Sequence, residues 1–313
     1  MKPCLIGVFG PTASGKSDIA LEMAKKMGAE ILNCDSLQVY DQLNIGTAKP
    51  SLNDQAMVVH HLLGHVPVGQ IYTAGQYRRD ALRVIQKRFE EGQRLFLLVG
   101  GSGFYAQALI KGLYPIAPVD PLKRKSIMDE IESRGAESVF SELKARDPEY
   151  AKKIGDQDQH RLIRAIEILR HSEFKTMAEI DLAMSKIEKP FHIQSIGVMK
   201  TRGLLKKSIL SRAEVMLKNG FIEEVQGLLS QGLIDWPPLR SVGYREVIQY
   251  LQAPAQMRSQ KKMTDQIVTS SMQLAKRQMT WFRRDPETLW FDTDLSRDQA
   301  CAKIEQLARD LLA

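Results

Sequence analysis

Cysteine is scarce in this sequence: Cys4, Cys34 and Cys301 are the only three in 313 residues, odd in number and far apart. With no C-x-x-C pair they support neither a zinc module nor a disulfide framework. Histidine is thin too. His60, His61 and His65 form the one cluster, and it lacks both the glutamate of H-E-x-x-H and a third well-spaced ligand. A strand or core-edge role suits these histidines better than a metal site. No apolar run approaches the roughly 20 residues that span a bilayer. Only Lys2 precedes the first short apolar stretch, too little for a secretory leader, so the expected location is the cytoplasm with no membrane partner. Internal repeats and low-complexity segments are missing as well.

What remains is an ordinary globular composition, 43% hydrophobic and 26% charged, long enough for one large domain or two smaller ones. Lys and Arg outnumber Asp and Glu by 44 to 37, a formal charge of +7. Such a surplus suits a polyanionic partner, and phosphate ligands and RNA explain it equally well.

One stretch organises the chain. Gly10-Pro11-Thr12-Ala13-Ser14-Gly15-Lys16-Ser17 fits G-x-x-x-x-G-K-[ST], the loop that cradles a polyphosphate. Its glycines let the backbone wrap closely round a phosphate and turn N–H groups toward the anion. Lys16 is placed to neutralise the outer phosphate, and the Ser17 hydroxyl to hold a Mg²⁺ ion bridging phosphate oxygens. The flanks agree, because Cys4–Phe9 reads as a short buried strand and Ser17–Lys26 as a helix with Ile19, Leu21, Met23 and Ala24 on its apolar side.

A second strand, Glu30–Cys34, runs into Asp35-Ser36-Leu37-Gln38-Val39-Tyr40. In a doubly wound sheet a carboxylate there faces the same crevice as the phosphate loop. An Asp-Ser pair after a strand is equally a plain turn or cap, and the local pattern leaves both readings open. Thr73–Gly92 reads as an amphipathic helix, and Arg94–Val99 as an apolar strand entering Gly100-Gly101-Ser102-Gly103-Phe104-Tyr105. Ser102 there suits both a site hydroxyl and a helix N-cap.

From Tyr114 the prolines Pro115, Pro118 and Pro121 mark a linker, and the pattern to Pro190 is helical and charged. Residues 119–190 are therefore expected to form a helical insertion in a core made of 1–118 and 191–313. Within it Leu162, Ile163, Ile166 and Leu169 form an apolar side next to Arg161 and Arg164. Phe191–Met199 restores a strand, and helices follow over Leu204–Asn219 and Gly220–Gln231. Next comes a basic turn, Arg240-Ser241-Val242-Gly243-Tyr244-Arg245. A helix from about Thr264 carries Ile267, Ser271, Leu274, Gln278 and Trp281 on one stripe, with Lys276, Arg277, Arg283 and Arg284 on another. Basic residues beside aromatics suit RNA, and a solvated basic helix face has the same pattern.

The strings GPTASGKS, DSLQVY, IGTAKP, GGSGFY, RLIRAIEIL, GFIEEV, RSVGYREV and AKRQMTWFRR occur in this order. Together they resemble the tRNA dimethylallyltransferase (tRNA isopentenyltransferase) family, bacterial type, over most of the chain. The resemblance implies an α/β fold, a P-loop NTPase-like parallel sheet flanked by helices, with the helical insertion contacting tRNA. It also implies that Gly10 to Ser17 hold the diphosphate of dimethylallyl diphosphate rather than a nucleotide, with Mg²⁺ at Ser17. The exocyclic amine of the adenosine 3′ of the anticodon then attacks the allylic carbon. Asp35 matches the general base, and Lys16 and Ser102 complete the catalytic set. Residues matching tRNA-contacting segments are Asp35, Ser36, Leu37, Gln38 and Ser102, then Lys123, Gln159, His160, Arg161, Leu162 and Ile163, and finally Arg240, Ser241, Val242, Gly243, Tyr244 and Arg245. The partners implied are the anticodon stem-loop of tRNA and the allyl donor, acting on a monomer.

The sequence departs from the family at several points. GGSGFY replaces the usual GGTGLY, so Ser102 keeps a hydroxyl while Phe104 is expected to reshape the pocket. His160 stands where Gln is common. Ser208 and Met272 replace arginines, with Lys206 and Lys207 as nearby substitutes. No zinc-finger extension of the eukaryotic kind is expected, which points to a bacterial-type member. Two other classes compete: a small-molecule kinase sharing loop and sheet, and a non-catalytic RNA-binding module with a vestigial loop.

Overall fold

The six residues Cys4–Phe9 carry no charge, and β1, which they form, is buried along its whole length. The computed structural model describes residues 2–113, 121–155, 158–186 and 188–313. Beside β1 run β2 (Glu30–Asn33), β3 (His60–His61), β4 (Leu95–Gly100), β5 (His192–Met199) and β6 (Leu289–Asp292). Their order is β3-β2-β4-β1-β5-β6, every pairing parallel. A parallel sheet covered on both faces needs continuous apolar strands at its centre, which is what β1 and β4 supply. Their register runs from Cys4↔Leu95 to Phe9↔Gly100, so the loops after both strands leave the same carboxyl edge side by side. The bonded pair His61 and Glu30 (Nε2 to Oε2, 2.7 Å) ties β3 to β2 at the sheet margin, the core-edge role expected of the histidines.

On one face α1 (Lys16–Met27) packs Ile19, Ala20, Met23 and Ala24 against Cys4, Ile6 and Val8. After α2 (Leu52–Met57), α3 (Ala74–Glu90) opens with a capping box in which Thr73 accepts from the Gln76 N–H, worth about 1 kcal/mol. Its buried Tyr77 donates to the Asn33 carbonyl at 2.9 Å and pins the carboxyl end of β2. α4 (Gly103–Ile110) packs against α3.

The chain divides into two compact units, Met1–Ile110 with Pro190–Ala313, and Lys111–Lys189. Tyr114, Pro115 and Pro118 of the expected linker lie outside the described residues. The second unit contains α5 (Pro121–Arg134), α6 (Ala136–Arg146), α7 (Pro148–Ile154), α8 (Gln159–Arg170) and α9 (Met177–Ser185). α8 is its centre, burying Leu162, Ile163, Ile166 and Leu169 with Val139, Leu143 and Met177. The wholly buried Glu167 is paired with Arg164 at 3.1 Å and Arg124 at 3.7 Å, as a buried charge requires.

Back in the first unit come α10 (Arg202–Lys218), α11 (Phe221–Ser230), α12 (Tyr244–Gln252), α13 (Gln260–Phe282) and α14 (Arg297–Leu312). α14 sends Ala300, Ile304 and Leu307 into the α1 side of the core, and α13 stacks Phe282 on Phe9 with ring centroids 4.7 Å apart. Met272 packs on the cluster of Leu205, Ile209, Val268 and Ala275 between α10 and α13, an apolar contact. Among the described residues no helix is long and apolar enough to cross a membrane.

Candidate active site

β1 ends at Phe9 and α1 begins at Lys16, so the whole phosphate loop spans the gap between a buried strand and a helix N-terminus. Gly15 takes φ 85° at the helix cap, a conformation open to glycine and strained for other residues. The first N–H groups of α1 have no partner within the helix and make the loop an anion cradle. Ser14 is fully buried and its Oγ has no partner among the described residues, an arrangement an anion acceptor would satisfy.

The loop is braced by residues far away in sequence. Gln278 of α13 accepts from the Thr12 N–H at 2.8 Å and donates to the Gly101 carbonyl at 3.0 Å, joining the two glycine-rich turns. Trp281, one helical turn on, lies where a Cβ at Gly103 would stand, so that glycine is the space the indole fills. Thr293 donates to the Ser14 carbonyl at 2.9 Å. Arg212 of α10 donates to Thr12 Oγ1 at 3.3 Å and to the Thr47 carbonyl at 3.0 Å. Its string, SRAEV, carries no local signal, which is why the sequence reading passes over it.

Asp35 performs both roles that the sequence left open. Its Oδ1 accepts from the N–H groups of Leu37 (2.9 Å) and Gln38 (3.4 Å), closing a turn after β2. Among the described residues Oδ2 has no hydrogen-bond partner, and Asp35 lines the cavity that also receives Lys16, Ser17 and Arg212. That cavity has a volume of about 420 Å³. Its walls are mixed, polar at the phosphate loop and Thr47, apolar at Ile209, Met216, Ile267 and Leu274.

Ser102 is engaged elsewhere. Its hydroxyl accepts from the Ser36 N–H at 2.8 Å and donates to Ser36 Oγ at 3.0 Å, clamping the turn that carries Asp35. Ser102→Ala is therefore expected to cost about 1 kcal/mol of stability and to slow catalysis by less than about tenfold. Thermal melts with single-turnover rates check this. A large rate loss at an unchanged melting temperature would make Ser102 a reacting group instead. Phe104, 55% exposed, is not among the residues lining the cavity, so the expected reshaping of the pocket does not follow.

The electrostatics of the site are those of an anion receptor. Burial, and next the nearby Arg212 guanidinium, pull the Lys16 ammonium down to about 8, against the opposing pull of Asp35 and Asp18. Burial also pulls Arg212 down from its ordinary value. Between pH 8 and 10.5 the unfolded chain keeps a proton that folded Lys16 has lost, so stability should rise with pH across that window. Lys16→Met should abolish the rise and melt above the wild type at pH 7, while weakening diphosphate binding. Wild-type affinity for diphosphate should fall as pH passes 8. Parallel melting curves of the two proteins over that range would show that Lys16 carries no such strain.

The remaining candidates are scattered over two units. In the first, Leu37 and Gln38 line the cavity, and Gln38 donates to the carbonyls of Thr47 (3.1 Å) and Ala48 (3.2 Å). Arg240 and Arg245 are exposed, whereas Tyr244 is fully buried and donates to Glu224 at 2.7 Å. Val242 and Gly243 line the cavity, and Ser241 donates to the Pro238 carbonyl. In the second unit Lys123, Gln159, His160 and Arg161 are exposed. Leu162 and Ile163 sit in that unit's core. Leu162, Ile163 and Tyr244 are thus buried here, unlike their exposed basic neighbours Arg161, Arg240 and Arg245. Among the described residues no cluster of three or more His, Cys, Asp or Glu is placed to hold a metal.

A profile of the IPP transferase family matches residues 38–285. The tRNA dimethylallyltransferases of Bdellovibrio bacteriovorus and Geobacter metallireducens are 41% and 37% identical, covering 92% and 93% of this chain and the same shares of their own. The full-length tRNA isopentenylpyrophosphate transferase of Bacillus halodurans superposes with a TM-score of 0.72 at 29% identity, covering 99% of this chain and 97% of its own. A eukaryotic dimethylallyltransferase acting on tRNA shares the fold, with a TM-score of 0.77 at 22% identity over 98% of this chain and 78% of its own.

Proposed function

We propose that this chain, which belongs to the IPP transferase family of tRNA dimethylallyltransferases, moves a dimethylallyl group from dimethylallyl diphosphate to the exocyclic amine of the adenosine 3′ of the anticodon. The observation that carries the chemistry is the single cavity shared by the phosphate loop, Arg212 and Asp35. Relatives at 37–41% identity over nine-tenths of the chain favour allyl transfer over the phosphoryl transfer that a phosphate loop alone permits.

In this reading the amine forms a bond to the allylic carbon as the bond from that carbon to diphosphate oxygen breaks. The amine proton passes to Asp35 Oδ2, and the departing diphosphate takes up negative charge. Lys16 and Arg212 line the cavity beside the loop N–H groups, and preorganised donors of this kind act most strongly as such charge develops. The allyl group is sheltered by the apolar wall, where each buried methylene contributes about 0.8 kcal/mol. To reach the cavity the adenine must leave its stack. Mg²⁺ fits an oxygen donor set made of Ser17 and the ligand's own phosphates, consistent with this ion's habit of binding through substrate. When bound it supplies charge neutralisation at the leaving group. The enzyme acts as a cytoplasmic monomer.

Incubation with dimethylallyl diphosphate, Mg²⁺ and unmodified tRNA, followed by nucleoside mass analysis, should reveal one isopentenyl unit gained on adenosine. Phosphoryl transfer from ATP to a metabolite, with the allyl donor ignored, would overturn the reading.

The exposed cations of both units supply RNA phosphate contacts. tRNA affinity should fall steeply with salt, and Arg161→Ala and Arg240→Ala should each flatten the log–log slope by about one. Deleting residues 121–189 should impair tRNA use more than binding of the allyl donor. Equal loss of both in a folded variant would count against a separate RNA clamp.

A further inference from the structure

Loop residues 44–48 belong to no strand or helix, yet one of them offers its carbonyl to two side chains of the cavity. A loop of this kind holds position only if its own N–H groups find partners. Here a single side chain supplies three of them. Glu224, in the first turn of α11, accepts from Asn44 N–H at 3.0 Å and Ile45 N–H at 2.7 Å through Oε2, and from Gly46 N–H at 3.1 Å through Oε1. The buried Tyr244 hydroxyl donates a fourth bond, 2.7 Å to Oε1. Bonds to an ionised acceptor are about twice as strong as neutral ones, so the loop is held firmly at this one point.

The held loop then places the Thr47 carbonyl. Arg212 donates to that carbonyl and to Thr12 Oγ1, which leaves part of its five-donor fork for the cavity it lines. Arg212 is thus spanned between the phosphate loop and the loop that Glu224 holds. A guanidinium positioned from two sides follows either side when it moves, and misplacement by about 1 Å costs catalytic groups roughly 100-fold.

We propose that Glu224 is a positioning residue for the diphosphate end of the site, acting through Thr47 on Arg212, with Tyr244 locking the carboxylate in place. The proposal rests on the diphosphate reading of the cavity given above. Glu224 touches no reacting atom, so its effect must travel through Arg212 and disappear when Arg212 is gone.

The test is a double-mutant cycle on the full chain, read as the Kd of inorganic diphosphate by calorimetry and as the single-turnover rate of allyl transfer. Glu224→Gln keeps the shape but loses acceptors, and should raise the Kd about tenfold. Tyr244→Phe, a milder variant if Glu224→Gln folds poorly, should raise it by about threefold. In the Arg212→Ala background each should change the Kd by less than about twofold, as for residues acting as one unit. Additive losses, or an unchanged Kd beside a lowered melting temperature, would overturn the proposal and leave Glu224 a stability residue. The two readings fail separately. A wild type that binds diphosphate but transfers no allyl group sinks the proposed function and leaves the cycle intact. One that transfers the allyl group while the cycle proves additive sinks the positioning role alone.

Discussion

Asp35→Asn is expected to slow the chemical step by about 10²–10⁴-fold while tRNA affinity changes little. Adenine's amine is a poor nucleophile because its lone pair is delocalised into the ring. A carboxylate within reach orients that amine and takes its proton as the new carbon–nitrogen bond forms. The structure makes the substitution a clean one. Asparagine keeps an Oδ1 that accepts from Leu37 and Gln38, so the turn survives, and the clamp from Ser102 onto Ser36 is untouched. What changes is the free oxygen, which becomes an amide without basicity. Single-turnover rates with both substrates saturating isolate that change from binding. Near-wild-type chemistry would reduce Asp35 to a turn residue.

Arg212→Ala should cost about 10²–10³-fold in allyl transfer, the loss typical of removing one preorganised donor from a developing anion. Its size reflects placement, since a half-buried guanidinium already held by Thr12 and Thr47 needs little reorganisation as negative charge develops beside it. Arg212→Lys should recover part of the loss at most, because a point charge cannot bond Thr12 and Thr47 together while also facing the ligand. Removing the guanidinium also lifts one of the two influences that pull Lys16 down, so the fall in diphosphate affinity above pH 8 should move to higher pH. An unchanged kcat/KM for the allyl donor would dismiss Arg212 from the site.

The parts of the site that were legible are those whose signal is local. The phosphate loop announces itself because strand, glycine turn and helix follow one another directly, and β1 begins and ends at the residues its apolar run marks. Asp35 was legible as a candidate because it directly follows a strand. Its choice between turn and cavity lining was not, since Oδ1 closes the turn while the same side chain lines the cavity, and only the coordinates show both at once. Ser102 shows the converse: a hydroxyl in the right string that spends its bonds on Ser36.

By itself the sequence determined the sheet's central strands, the order of strand and helix around them, the helical character of the insertion and the glycine-rich turn that leads from β1 into α1. These follow from periodicity, turn chemistry and backbone sterics over a few residues, which neighbours in the chain set among themselves. The tertiary structure alone decided which distant side chains complete the site. Arg212, Glu224 and Gln278 come from three helices whose sequences show an apolar face but not what lies opposite their polar residues. It likewise placed α14 beside β1, where Cys4 Sγ donates to the Leu311 carbonyl at 3.0 Å, and it withdrew Leu162, Ile163 and Tyr244 into cores. A side chain's type and spacing follow from the sequence, whereas its partner and its exposure depend on chain closure across hundreds of residues.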